Sequence, residues 1–151
     1  MSKTESRVVD WLGGVTGDGE SLTDWAILGY PSAGSSHSSR ALDEYIDQRG
    51  LDPAAQVGQG YTQMIVIVTD LRLMFAGVGG VIGVRPKKLV VEAPIDSIRL
   101  EWWDQREVGP DRRWLLFMLG EQWLRHVAAI TDRSNIESFT TALGDLASRV
   151  R

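Results

Sequence analysis

The segment Gln63–Phe75, QMIVIVTDLRLMF, decides the fold. Four of the five residues from Met64 to Val68 are β-branched: Ile65, Val66, Ile67 and Val68. Such side chains are stiff at χ1 and suit a buried, pleated surface. The run falls well short of the about 20 apolar residues that span a bilayer. Thr69-Asp70 interrupts it, and Asp70, whose short side chain can bond nearby backbone, marks the reversal. The pair is not the Asn-Gly or Asp-Gly of a tight hairpin, so the turn type stays open. Leu71, Leu73 and Phe75 then alternate with Arg72 and Met74, continuing the period of two with one wetter face. The segment reads as a strand, a turn and the start of a second strand.

Downstream, the pattern repeats. AGVGGVIGV at 76–84 is a glycine-rich apolar connection, and KLVVEA at 88–93 is a strand broken by Pro94. Ile98, Leu100 and Trp102 alternate with Arg99, Glu101 and Trp103, as in a half-buried strand. EVGPDRR at 107–113 is a turn. WLLFML and QWLRHVAAI follow as two strands joined at Gly120-Glu121. Short strands separated by turn signals predict a closed or nearly closed antiparallel sheet. The end of the chain changes period. Ser134 and Glu137 have capping-box spacing, and Ile136, Phe139, Leu143, Leu146, Ala147 and Val150 fall on one helical face. A helix from Asn135 to Arg149 would be roughly 22 Å long and would cover an open end of the sheet.

Upstream, residues 1–12 predict a short amphipathic helix stopped by Gly13-Gly14. DWAILGY at 24–30 is read as a strand, PSAGSSHSS at 31–39 as a polar loop, and RALDEYIDQRG at 40–50 as a helix capped by Ser39 and closed by Gly50. The division is an N-terminal extension of residues 1–54 and a domain of residues 55–151.

The chain has 151 residues and no cysteine, which excludes disulfides, thiolate metal sites and thiol nucleophiles. At this length a chain buries roughly 68–70% of its unfolded surface and needs no staples. The polar N-terminus lacks the apolar stretch of a signal peptide, so a cytoplasmic protein is expected. A formal charge of −4 argues against nucleic acid as a partner. Lysine occurs only at positions 3, 87 and 88 against abundant arginine, a bias that points to a GC-rich bacterial genome.

Few residues suggest chemistry. His37 lies in SSHSS, but a Ser/His pair also needs an orienting third group and an oxyanion hole, and no nucleophile elbow is present; a polar loop is the expectation. His126, between Arg125 and Val127, is read as a structural or surface histidine, and two isolated histidines do not make a zinc site. No metal or cofactor is expected. The glycines at 77, 79, 80 and 83 miss the dinucleotide-binding spacing, and no helix follows to receive phosphate. Asp96, Glu101, Asp104 and Glu107, interleaved with Arg99 and Arg106, read as a salt-bridged wet face. Six tryptophans are many for this length. Trp102 and Trp103 are adjacent and must face opposite sides of a strand. With Trp114 and Trp123 they either mark a protein interface or are covered by the N-terminal extension.

The segments IVTDLRLMF (67–75), LVVEAPIDSIRLEWW (89–103) and IESFTTAL (136–143) give the chain a likeness to a known family. It resembles the bacterial pleckstrin-homology-like domains, including the YokE-like and GRAM-like groups, over residues 55–150. The resemblance implies a mainly β fold with α, an antiparallel, partly open β-barrel capped by a C-terminal amphipathic helix. It also implies a non-enzymatic binding or scaffolding module, in several relatives a homo-oligomer. The expected role is protein–protein interaction or self-association, with a peptide received at an open sheet edge or in the groove beside the last helix. The alternative is a peripheral membrane binder. Arg85, Lys87 and Lys88 form the densest basic cluster, and in pleckstrin-homology domains basic residues near such loops hold anionic lipid head groups. Attraction of about 1 kcal/mol per cation would make that binding weak.

Overall fold

The computed structural model describes all residues except 1, 18, 32–36, 80–83 and 107–108, and residues 37–39 as backbone only. Among the described residues eight strands form one sheet: β1 (Leu22–Gly29), β2 (Gln63–Thr69), β3 (Arg72–Gly79), β4 (Arg85–Pro94), β5 (Ile98–Gln105), β6 (Arg112–Leu119), β7 (Gln122–Ala129) and β8 (Ala147–Arg149). Three α-helices among those residues accompany it: α1 (Lys3–Thr16), α2 (His37–Arg49) and α3 (Ile136–Leu143). The strand order is β4-β3-β2-β1-β7-β6-β5-β8. Neighbours run antiparallel except β5 and β8, which are parallel. The expected mainly β fold with helices is present. The sheet is not closed into a barrel: β4 and β8 are its free edges. Each edge has a reason to stay unpaired. β4 carries Pro86 and Pro94, which lack an N–H, and β8 is three residues long.

The apolar run in β2 is continuous because both of its faces are buried. Met64, Val66 and Val68 face the inner core with Phe75, Leu115, Phe117, Leu124 and the α3 residues Ile136, Phe139 and Leu143. Phe75 and Phe117 meet edge to face at 5.0 Å between ring centroids. Ile65 and Ile67 point outward, where Val8 and Leu12 of α1 cover them together with Trp25 and Met74. α1 is tied down at β4, where Trp11 Nε1 donates to the Lys87 carbonyl at 2.8 Å. On the other half of the sheet, Leu42 and Ile46 of α2 cover Trp103, Trp114, Leu116 and Trp123. Tyr45 Oη donates to Glu101 at 2.8 Å, Arg49 pairs with Glu101 at 2.9 Å, and Asp43 pairs with Arg125 at 2.5 Å. Burial, with Glu101 alongside, pushes the Tyr45 phenol up to about 12. Residues 1–54 thus supply a central strand and the two helices that cover the outer faces of the sheet.

β1 joins the two halves unequally. It pairs with β2 from Leu22↔Thr69 to Gly29↔Gln63, but with β7 only at Gly29↔Val127. Connecting segments satisfy the rest of this seam. The Ile27 amide donates to the Ser134 carbonyl at 2.8 Å, Asn135 Nδ2 donates to the Trp25 carbonyl at 2.7 Å, and the Val57 amide donates to the Trp123 carbonyl at 3.0 Å. The Asp24 carboxylate, buried in β1, accepts from the Trp25 amide, Asn135 Nδ2 and Ser138 Oγ at 2.9, 2.7 and 2.5 Å. This clamp fixes the start of α3 against the sheet.

Several boundaries differ from expectation. α1 runs through Gly13-Gly14 and ends at Gly17, whose φ is +68°. α2 starts at His37, so Ser39 lies within the helix rather than capping it. α3 is about half the expected length. It stops at Gly144, with φ +57°, and the chain continues as a 3-10 turn and then as β8. Leu146 and Ala147 still reach the inner core, and Val150 the outer one, but not along a helical face. Glycine past the last helical residue is a stop signal, and here it outweighs the apolar periodicity. Ser134 is not the cap: Asn135 holds that position at φ +62°. No helix among the described residues is long and apolar enough to cross a membrane.

The β2–β3 turn is built by Thr69 rather than Asp70. Thr69 Oγ1 accepts from the Leu71 and Arg72 amides, each at 3.1 Å, and donates to Glu20 at 2.9 Å. Asp70 instead accepts from the Ser21 amide at 3.1 Å. Glu20 also holds Arg72 through two short contacts of 2.9 Å, which keeps the Glu20 carboxyl below its ordinary range. Thr69→Val is expected to destabilise the protein by about 1–2 kcal/mol, because two turn amides lose a buried acceptor. Thr69→Ser should be close to wild type. Chemical denaturation of the two variants checks this.

Candidate functional site

Inward-facing residues of β5 alternate as Ile98, Leu100, Trp102 and Asp104, and the apolar series ends where the strand reaches the mouth of the inner face. The β5–β6 register places Asp104 opposite Arg113. Their side chains form a two-pronged pair, Nε to Oδ1 at 2.7 Å and Nη2 to Oδ2 at 3.0 Å. The third nitrogen of Arg113, Nη1, donates to Thr140 Oγ1 on α3 at 3.0 Å. The guanidinium lies 3.9 Å from the ring centroid of Trp102 and is buried. A buried arginine with every nitrogen bonded and an aromatic face beneath it is a rigid floor.

Above this floor α3 does not fill the mouth. A cleft of about 520 Å³ remains, bounded by Trp102, Arg106 and Arg113 from the sheet, Glu137, Thr140 and Thr141 from α3, and Ala147 and Arg149 from β8. Arg106 sits on the rim, half exposed, 3.1 Å from Asp111 and 3.3 Å from Asp104, with Glu137 at 3.9 Å. Arg149 lies 5.7 Å from the Trp102 centroid and donates through Nε to a carboxylate oxygen of Arg151, the last residue, at 2.8 Å. Its guanidinium pairs with no Asp or Glu side chain among the described residues. Trp102 gives the cleft an aromatic wall, and the Thr140 and Thr141 hydroxyls on α3 donate to the Ile136 and Glu137 carbonyls at 2.7 and 3.0 Å.

The residues singled out from sequence are scattered. Arg85, Lys87 and Lys88 are exposed on the edge strand β4, at the other end of the strand order from the cleft. The glycine-rich connection beside them lies, at 80–83, outside the described residues. Of the four tryptophans proposed for an interface, Trp103, Trp114 and Trp123 are buried beneath α2. Trp114 Nε1 donates to Gln105 at 3.2 Å and Trp123 Nε1 to the Asp52 carbonyl at 2.8 Å. Coverage by the N-terminal segment is therefore what the structure shows for these three, and an interface built on their exposure does not exist on the single chain. Only Trp102 meets the cleft. His126 is buried in the inner core between aromatic rings. His37 is the first residue of α2, and Ser35 and Ser36 of the SSHSS segment lie outside the described residues. Among the described residues no group of three or more His, Asp or Glu side chains could hold a metal ion.

Sequence reasoning passed over Arg113 and Arg149 and assigned Arg106 and Asp104 to a solvated face. The missing signal was the register of the 98–119 hairpin, which puts Asp104 on the Trp102 side of the strand and opposite Arg113. No family model matches the chain, and no curated protein matches it either.

Proposed function

We propose that the chain is a non-enzymatic binding module of pleckstrin-homology-like architecture that docks a segment of a partner protein in the cleft beside α3. Two antiparallel meanders joined through β1, with a short helix over the mouth of the inner face, support the architectural part of this reading. The observation that carries the docking part is the cleft itself, concave, half open and floored by a fixed Arg113–Asp104 pair. Its side chains are suited to holding a ligand rather than to bond making: among the described residues that line it, the Thr140 and Thr141 hydroxyls donate to the Ile136 and Glu137 carbonyls rather than to a base. β8, three residues long, borders the cleft through Ala147 and Arg149. A second copy of the chain is one candidate partner. Peptides selected against the protein from a random library should shift the amide resonances of Trp102, Thr140 and Thr141, and Arg149→Glu should weaken them about ten-fold or more. Selected peptides whose shifts map elsewhere, or no enrichment at all, would sink the reading.

A membrane reading rests on the exposed side chains of Arg85, Lys87 and Lys88 along β4. At about 1 kcal/mol per cation they give weak attraction, and Glu92 shares the strand. Flotation with phosphatidylserine vesicles should show no binding and no difference from a Lys87→Glu, Lys88→Glu variant. Flotation lost in the variant would favour the membrane over a protein partner.

A further inference from the structure

We infer that α2 is a strap that opens ahead of the sheet it covers, and that the guanidinium of Arg125 beneath it sets the balance between the closed and open forms. Two arginines of the sheet grip a carboxylate in the same way. Arg72 holds Glu20, and Arg113 holds Asp104, each through Nε and Nη2 together. A third, Arg125 on β7, does not. Asp43 of α2 meets it at Nη1, while its Nε and Nη2 are buried without a hydrogen-bond partner among the described residues. The side chain is 12% exposed. Its neighbours in the sheet are apolar: Leu116 stands opposite on β6, and Trp123 and Val127 lie two residues away on β7. Leu42 and Ile46 of α2 close over this layer.

An N–H buried without an acceptor loses the hydrogen bond that water would give it, which penalises the buried state. Here the penalty falls on the closed position of α2, since lifting the helix admits water to Nε and Nη2. The hold on α2 is thin. Of residues 40–49 only Leu42 and Ile46 are buried. The polar ties run from side chain to side chain: Asp43 to Arg125, Tyr45 and Arg49 to Glu101, and Arg49 Nη2 to Met118 Sδ at 3.1 Å. The other two helices also engage the backbone of the sheet. Trp11 of α1 reaches the Lys87 carbonyl, and Ser134 and Asn135, leading into α3, bond to Ile27 and Trp25. Local opening starts where little apolar surface is buried. When α2 lifts, Trp103, Trp114 and Trp123 come to the surface beside Arg125. Tryptophan and arginine are the side chains enriched at the energetic centres of protein interfaces, and the closed form withholds them.

Native-state amide hydrogen exchange of the full chain tests this. The α2 amides should exchange through openings about 100-fold or more frequent than those of β2 and β6. Arg125→Met keeps much of the side-chain length and removes the unpaired N–H groups, while Asp43, 39% exposed, can turn to water. It should slow α2 exchange about ten-fold, because an apolar side chain in place of a buried ion pair sheds more desolvation penalty than attraction. Asp43→Asn should speed α2 exchange, because the covered guanidinium loses its charged partner. The sign decides. Faster α2 exchange in Arg125→Met would make Arg125 an anchor of the helix and overturn the inference. An Asp43→Asn chain that exchanges like wild type would overturn it too. So would wild-type α2 amides that exchange together with those of β2, a result that needs no variant to fold.

Discussion

Phe139→Ala is expected to lower the unfolding free energy by about 3–5 kcal/mol, the usual range for truncating a fully buried phenylalanine. Domains of this size have total stabilities of about 5–15 kcal/mol, so the loss is a large share of the whole. In thermal unfolding it corresponds to a drop of roughly 6–20 °C. Phe139 has no exposed surface and lies with Ile136 and Leu143 in the inner core, its ring 6.4 Å from that of Phe117. The side chain comes from an eight-residue helix held by the Asp24 clamp, so the helix has little freedom to sink into the space left behind. Phe139→Leu, which conserves most of the volume, should lose less than about 1.5 kcal/mol. Deleting residues 131–151 goes further. It removes α3 and β8, uncovers the inner core, and takes away Ser134 and Asn135, which satisfy the β1 backbone at the seam. That truncated chain should fail to show a cooperative unfolding transition. A folded, monomeric truncation by circular dichroism and light scattering would mean that α3 is an accessory and not the stopper of the sheet.

The sheet was legible because its signals are local. β-branched runs, period-two alternation and Gly/Pro punctuation mark β2 through β7 within a few residues of their observed ends. β1 was legible as a strand but not as the central one: nothing in DWAILGY says that its neighbours will be residues 63–69 and 122–129. What failed was of two kinds. Over a few turns an apolar helical stripe and a short extended segment look alike, so Leu146, Ala147 and Val150 keep helical spacing although Gly144 ends the helix. The cleft needed register. In a hairpin whose turn lies at 106–111, Asp104 and Arg113 become partners only once the loop length is known, and a shift of one residue would send both to the opposite face. The tryptophans show a related limit. Adjacent Trp102 and Trp103 must face opposite ways, which the sequence dictates. That α2 covers the outer one depends on a packing between segments some sixty residues apart, which no local pattern reports.

Acid should destabilise the fold through His126, by an amount on the order of 3 kcal/mol between about pH 6.5 and pH 4. The sequence places this histidine in a strand; the structure turns it inward at the weak point of the sheet. Its ring stacks on Phe75 at 5.8 Å, meets Phe117 and Tyr30 edge-on, each at 6.2 Å, and is 1% exposed. Nδ1 is 3.3 Å from the carbonyl of Gly29, the residue that forms the β1–β7 pair, and Nε2 has no hydrogen-bond partner among the described residues. Tyr30 is the titratable side chain facing it, and among the described residues no charged group perturbs it. Burial pushes its pKa down to about 4, against a smaller opposing pull from the Gly29 carbonyl. The folded value lies below the ordinary value of 6.5, so the folded state resists a proton that the unfolded chain accepts. The stabilisation is therefore complete above about pH 6.5, falls as pH drops through the interval, and is exhausted near pH 4, where the folded protein also protonates. The depressed Glu20 carboxyl acts at lower pH, since its loss begins only below its ordinary value of 4.5. Denaturant titrations of wild type and His126→Phe across this range separate the two. The variant keeps an aromatic ring and removes a buried unpaired nitrogen, so at neutral pH it should lie within about 1.5 kcal/mol of wild type. Its profile should be nearly flat from pH 6.5 to about pH 5 while wild type declines. Parallel profiles would show that His126 is solvated or partnered in solution and that the β1–β7 seam is less tightly closed than its aromatic packing implies.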